Sequence, residues 1–93
     1  MWKLKRTRDG QGDKGHLTVY RPDEDGNGFH TLINKVWPQV GDIVEVGDIF
    51  TSTFGVDTWW RTTQISEVVS QEGNTMVFNT GNSTYTLTRM VAR

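Results

Sequence analysis

Three groups of residues have types and spacings that bear on chemistry. The first is the run DEDGNG. Asp23, Asp25 and Asn27 stand at alternate positions with Gly28 after them. A calcium loop begins this way, with oxygen ligands at alternate positions and a glycine at its sharp turn. Such a loop takes an acidic ligand at its twelfth position, where this chain has Asn34, and Pro22 argues against a helix leading in. Asp, Asn and Gly are also the ordinary turn formers. The run therefore reads as an acidic turn. Asp23, Asp25 and Asn27 are kept as the candidate for a calcium or magnesium ion, and no metal is expected.

The second group is His16 and His30, the only histidines. They fall on neighbouring strands if residues 16–21 pair with 29–34. No nucleophile stands at a recognisable spacing from either. The absence of cysteine removes thiolate chemistry and disulfides. The glycines of residues 9–15 have neither the spacing of a P-loop nor a helix pattern behind them, so they read as a flexible loop. These features predict no enzyme and no cofactor.

The third group is aromatic and lies in DTWWRTTQI. Its meaning depends on the strands that carry it. Gly81 and Asn82 separate two Thr-rich runs, and a two-residue Gly-Asn loop predicts a primed hairpin turn. That register sets Phe78 against Tyr85 and Met76 against Leu87. One face then carries Met76, Phe78, Tyr85 and Leu87, and the other Thr75, Val77, Asn79, Thr84, Thr86 and Thr88. A preceding strand over 58–69, turning at residues 71–73, sets Val69 against Asn74 and Ile65 against Phe78. Counting back by twos sends Trp59, Arg61 and Thr63 inward, and Trp60, Thr62 and Gln64 outward. A bulge, or a second sheet over Trp60, would undo this. Without one, Trp60, Thr62, Gln64, Asn79, Thr84 and Thr86 form a polar face with an exposed indole, the expected binding face.

The remaining chain supplies more strands. Trp2 and Leu4 alternate with charges, residues 16–21 read as a strand ended by Pro22, and residues 40–46 alternate cleanly. Residues 49–54 read as a further strand. In residues 29–37 the apolar side chains fit helical spacing, yet the run is short and rich in β-branched and aromatic residues. It reads as strand, with one short helix as the alternative. Short strands with turn signals every eight to twelve residues predict an all-β chain folded as a small antiparallel barrel with a C-terminal three-strand meander. A chain of 93 residues makes this one domain over 1–93, with a basic strand and Gly-rich loop over 1–15 and the barrel core over 40–91.

The net charge of −1 excludes a general nucleic-acid coat. Cations gather in the first 21 residues and carboxylates between Asp23 and Asp57. The first ten residues lack an apolar signal region, and no apolar run reaches membrane-spanning length, so a cytoplasmic protein with no membrane partner is expected.

The segment VGDIVEV over 40–46 resembles the opening strand of small barrels of the Src-homology-three-like kind. The combination of TWWRTTQISEVV and FNTGNSTYTL resembles small β-rich accessory proteins of tailed bacteriophages. That second resemblance covers about the last third of the chain and carries over no functional residue. It implies an accessory protein in a bacterial host cytoplasm that binds and blocks a host enzyme or defence component.

The sequence thus predicts a non-enzymatic binding module with a host protein as partner. The alternative is a small barrel that binds single-stranded nucleic acid or a nucleotide. There Lys3, Lys5, Arg6 and Arg8 would track phosphates, with Arg61 and Tyr85 beside the bases.

Overall fold

The computed structural model describes residues 1–47 and 59–90. These form seven strands: β1 (Trp2–Arg6), β2 (Gly12–Pro22), β3 (Phe29–Ile33), β4 (Ile43–Gly47), β5 (Trp59–Glu72), β6 (Thr75–Thr80) and β7 (Thr84–Arg89). The order β1-β7-β6-β5-β4-β2, closed by pairing of β1 with β2, makes a six-strand antiparallel barrel, and β3 is added to β2 outside it. The expected strand over 49–54 lies outside the described residues.

The barrel is not confined to residues 40–91, because β1 and β2 are two of its six strands. Nor is residues 9–15 a loop throughout. Strand β2 starts at Gly12, and its first half pairs with β1. A Cβ at Gly12 would lie 1.9 Å from the Leu4 carbonyl oxygen, so only glycine lets the two backbones approach this closely. The second half of β2 carries β3 on the same edge, while β4 pairs along the other edge.

No helix forms over 29–37. Strand β3 ends at Ile33, and Asn34 takes the left-handed conformation at φ 53. Its side-chain oxygen accepts the Leu17 N–H at 2.8 Å, so a side chain replaces the backbone acceptor at the point where the strand stops. Strand parity splits the apolar residues that helical spacing had grouped. Leu32 packs on the core, whereas Phe29 and Ile33 stay on the outside.

The C-terminal hairpin has the expected register, with Phe78 opposite Tyr85 and Met76 opposite Leu87. Phe78 and Tyr85 stack with ring centroids 5.6 Å apart. The turn itself differs from expectation, since neither Gly81 nor Asn82 has positive φ. The Thr80 hydroxyl closes it by accepting the N–H groups of Asn82 and Ser83, both at 3.2 Å.

The register of β5 departs from expectation in three places. Against β6 it carries an extra residue between Ile65 and Glu67 and another between Val68 and Ser70. Ile65 therefore faces Thr80, Val68 faces Phe78, and the turn is Gly73 and Asn74, with Gly73 at φ 56. Against β4 the register shifts between Ile43 and Glu45, again by one extra residue on β5. At that bulge the Thr62 hydroxyl accepts the Val44 N–H at 3.2 Å and donates to the Thr63 carbonyl at 2.7 Å. A threonine hydroxyl stands in for a ladder carbonyl, and the strand changes parity there.

The core inside the barrel is Trp2, Leu4, Leu17, Val19, Val44, Val46, Ile65, Met76, Phe78, Tyr85 and Leu87. Asp42 is fully buried. Its carboxylate accepts two Arg21 nitrogens and the Gln39 N–H, which ties the β3–β4 connection to β2. Buried charge persists where partners satisfy it this way.

Candidate functional site

The bulge at Thr62 reverses the two tryptophans. Trp60 points inward, packs on the core and is half-buried, with its Nε1 shielded from solvent and without an acceptor among the described residues. The Arg6 guanidinium lies 4.9 Å from its ring centroid. Thr62 is buried as well. The expected binding face is therefore not assembled. Gln64 is exposed, and Asn79, Thr84 and Thr86 lie on the outer face of β6 and β7 away from Trp60. There Thr84 donates to Asn79 Oδ1 at 2.6 Å, and Asn79 donates to Glu67 at 2.9 Å.

Trp59 faces outward instead, 37% exposed, and belongs to a cluster on the outer face of β2, β4 and β5. Arg61 is its centre. Its guanidinium carbon lies 5.2 Å from the Trp59 ring centroid and 5.2 Å from that of Tyr20. Both Arg61 Nε and Nη2 donate to Glu45 Oε1, at 3.3 and 3.1 Å. The Tyr20 hydroxyl donates to the other Glu45 oxygen at 2.7 Å. Burial, and then the hydrogen bond to Glu45, push the Tyr20 phenol above its ordinary pKa, so it remains a donor across the neutral range. Glu45 is buried although it points away from the core, because Tyr20 and Arg61 cover it.

The same face continues onto β3. Tyr20 pairs with Thr31 and Thr18 with Ile33, so Phe29, Thr31 and Ile33 share its side of the sheet. Phe29 is 48% exposed and Ile33 43%. Phe29 and Ile43 border a small cleft with Tyr20 and Arg61. Exposed apolar residues on the same face as a fixed arginine are what a binding surface presents.

The other candidates are dispersed by the fold. Asp23 bonds His30 at 2.9 Å, and Asp25 accepts the Asn27 N–H at 3.0 Å within the turn. Asn34 lies at the far end of β3 from them. Among the described residues, no group of three His, Asp or Glu side chains is placed to hold a metal. His16 and His30 do lie on neighbouring strands but far apart in register, His16 opposite Gly47 and His30 opposite Arg21. His16 Nδ1 lies 2.9 Å from Asn34 Nδ2.

The expected nucleic-acid contacts do not share a surface. Tyr85 is buried, and Arg6 points inward beside Asp9 and Trp60. Arg61 is on the β2–β4–β5 face, while Lys3 and Lys5 lie on the outside of β1, with Lys14 directly across from Lys3. At one end of the barrel, however, is a cavity of about 630 Å³, lined in part by Trp2, His16, Lys35, Trp37 and Arg89, a combination that the sequence did not bring together. Trp2 and Trp37 meet edge to face there at 4.9 Å. Lys35 and Arg89 are the cationic side chains on its wall, His16 lies among the other lining residues, and no carboxylate is one of them. Arg89 lies 5.9 Å from the Trp37 ring and bonds Asn74 Oδ1.

No helix among the described residues is long and apolar enough to cross a membrane. No protein-family model, curated protein or solved structure matches the chain.

Proposed function

We propose that this chain is a non-enzymatic protein-binding module whose contact surface is the Trp59–Arg61–Tyr20 face. The observation that carries this reading is the fixing of Arg61. Two rings flank its guanidinium and the buried Glu45 carboxylate holds it, so the side chain loses little freedom on docking. Tryptophan, tyrosine and arginine are the residues that most often carry binding energy at protein interfaces. The resemblance to phage accessory proteins makes the partner a host protein, blocked by occupation of its own working surface in a bacterial cytoplasm.

The experiment is affinity capture from bacterial lysate with nuclease added, comparing the parent with Trp59→Ala. A retained protein that survives nuclease and high salt, and is lost from Trp59→Ala, supports the reading. Retention that disappears with nuclease refutes it.

The second reading, nucleotide or single-stranded nucleic-acid binding, is favoured by the cavity that Trp37, Lys35 and Arg89 help to line. A flat base against indole, with phosphate near Lys35 and Arg89, fits its wall of rings and cations. Such binding weakens steeply as salt rises, whereas an aromatic protein interface does not.

A further inference from the structure

We infer that two copies of this chain pair antiparallel along β3, with the two-fold axis passing through Thr31. This goes beyond the proposed contact face and does not depend on it.

The inference starts from hydrogen bonding in β3. Among the described residues β2 is the only strand paired with it. The Asp23 N–H donates to the Gly28 carbonyl at 2.9 Å, and the Asn34 N–H to the Leu17 carbonyl at 2.8 Å. Those bonds mark Gly28 and Asn34 as residues turned toward β2. By the alternation of an antiparallel ladder, His30 and Leu32 are turned the same way. Phe29, Thr31 and Ile33 then direct their N–H and C=O groups to the open edge. Their side chains lie on the exposed outer face.

Edge strands are ordinarily blunted by lysine, proline, a bulge or an inward charge. Strand β3, FHTLI, has no lysine, no proline and no carboxylate, and its pairing with β2 runs without a register shift. An edge in this state is a template for another strand.

Its own copy fits best. With Thr31 opposite Thr31, Phe29 stands opposite Ile33 of the second copy, so the two half-exposed apolar side chains cover each other twice by symmetry. The same register brings the acidic turn before β3 toward Lys35 of the second copy, each lying just beyond an end of the paired strands. Glu24, Asp25 and Lys35 are exposed and enter no ion pair among the described residues. An unrelated strand would meet the edge but not this charge complement. Pairing also joins the two Trp59–Arg61–Tyr20 clusters onto one continuous outer surface, which makes the dimer bivalent.

Cysteine trapping tests this directly, since the chain has no cysteine of its own. Facing residues in a hydrogen-bonded antiparallel pair have Cα atoms about 5.5 Å apart, within the roughly 4.4–6.8 Å that a disulfide spans. Thr31→Cys should cross-link to a covalent dimer under mild oxidation, and Val69→Cys, an exposed position on β5, should not. Sedimentation of the unmodified chain should show a monomer–dimer equilibrium. Ile33→Lys should weaken it by about tenfold or more. Lys35→Glu should weaken it too, and adding Asp25→Lys to Lys35→Glu should restore it. A chain that is monomeric at every concentration overturns the inference and leaves the edge to an unrelated strand. A dimer insensitive to Ile33→Lys, or a Thr31→Cys variant that cross-links no faster than Val69→Cys, overturns it as well.

Discussion

Trp59 and Trp60 are adjacent in the chain and lie on opposite sides of the barrel wall, Trp59 outward under Arg61 and Trp60 inward under Arg6. The Thr62 bulge decides which indole goes where. We predict opposite outcomes at the two positions. Trp60→Ala should cost about 3 kcal/mol, as expected for a partly buried aromatic. Trp59→Ala should stay within about 1 kcal/mol of the parent. Chemical denaturation of both variants checks this, and the reverse ordering would mean that β5 has the unbulged register.

A second prediction separates two glycines. Gly12→Ala should destabilise the chain by about 3 kcal/mol or more, because the added methyl would meet the Leu4 carbonyl, a backbone atom held by pairing of β1 with β2. Gly81→Ala should change stability by less than about 0.5 kcal/mol, since its φ is not positive and nothing lies within 4 Å of an added Cβ. Thr80→Val should cost about 1–2 kcal/mol, through loss of the hydroxyl that closes the turn. Melting temperatures of the three variants give the comparison.

Asp42 provides a third. Asp42→Ala removes the carboxylate that holds Arg21 and the Gln39 N–H. It should destabilise the chain by about 3 kcal/mol or more, because a guanidinium and a backbone donor lose their buried partner together. Urea denaturation measures it. A cost below about 1 kcal/mol would show that water satisfies both groups.

The fourth concerns acid. The hydrogen bond from Arg6 holds the Asp9 carboxyl at about 2, below its ordinary value of 3.8. A depressed carboxylate pKa stabilises the folded state above the unfolded pKa, and that contribution disappears as pH falls toward the folded value. The Asp9 contribution should therefore be complete above about pH 4 and fade between about pH 4 and 2. Titration of Asp9 by NMR checks the value, and Asp9→Asn should flatten the stability profile in that window. An ordinary Asp9 titration would show that the pair does not persist in solution.

The limits of sequence reading are local and physical. The C-terminal hairpin was legible because Phe78, Tyr85, Met76 and Leu87 sort with strict period two around a short loop. Strand β5 was not. Between Trp60 and Ile65 the residues are Arg61, Thr62, Thr63 and Gln64, and threonine is at home on either face, so no apolar signal marks where parity changes. The bulge exists because a Thr62 hydroxyl substitutes for a carbonyl, and composition cannot reveal that. The error carried Trp60 and Thr62 onto the wrong face and hid Trp59. Tyr20 and Glu45 were missed for a related reason. A buried glutamate on an outer face requires three strands to bring its partners together, and their pairing is long-range. Gly12 read as loop because the need for glycine came from close approach of β1, not from a turn.

The central claim is that the Trp59–Arg61–Tyr20 face binds protein. Its most direct test is the dissociation constant of the captured protein for the parent and for Trp59→Ala, measured by titration calorimetry on chains of matched melting temperature. The account predicts a loss of about 2 kcal/mol or more, roughly 30-fold, because an interface anchor is removed. An unchanged dissociation constant for folded Trp59→Ala would contradict it.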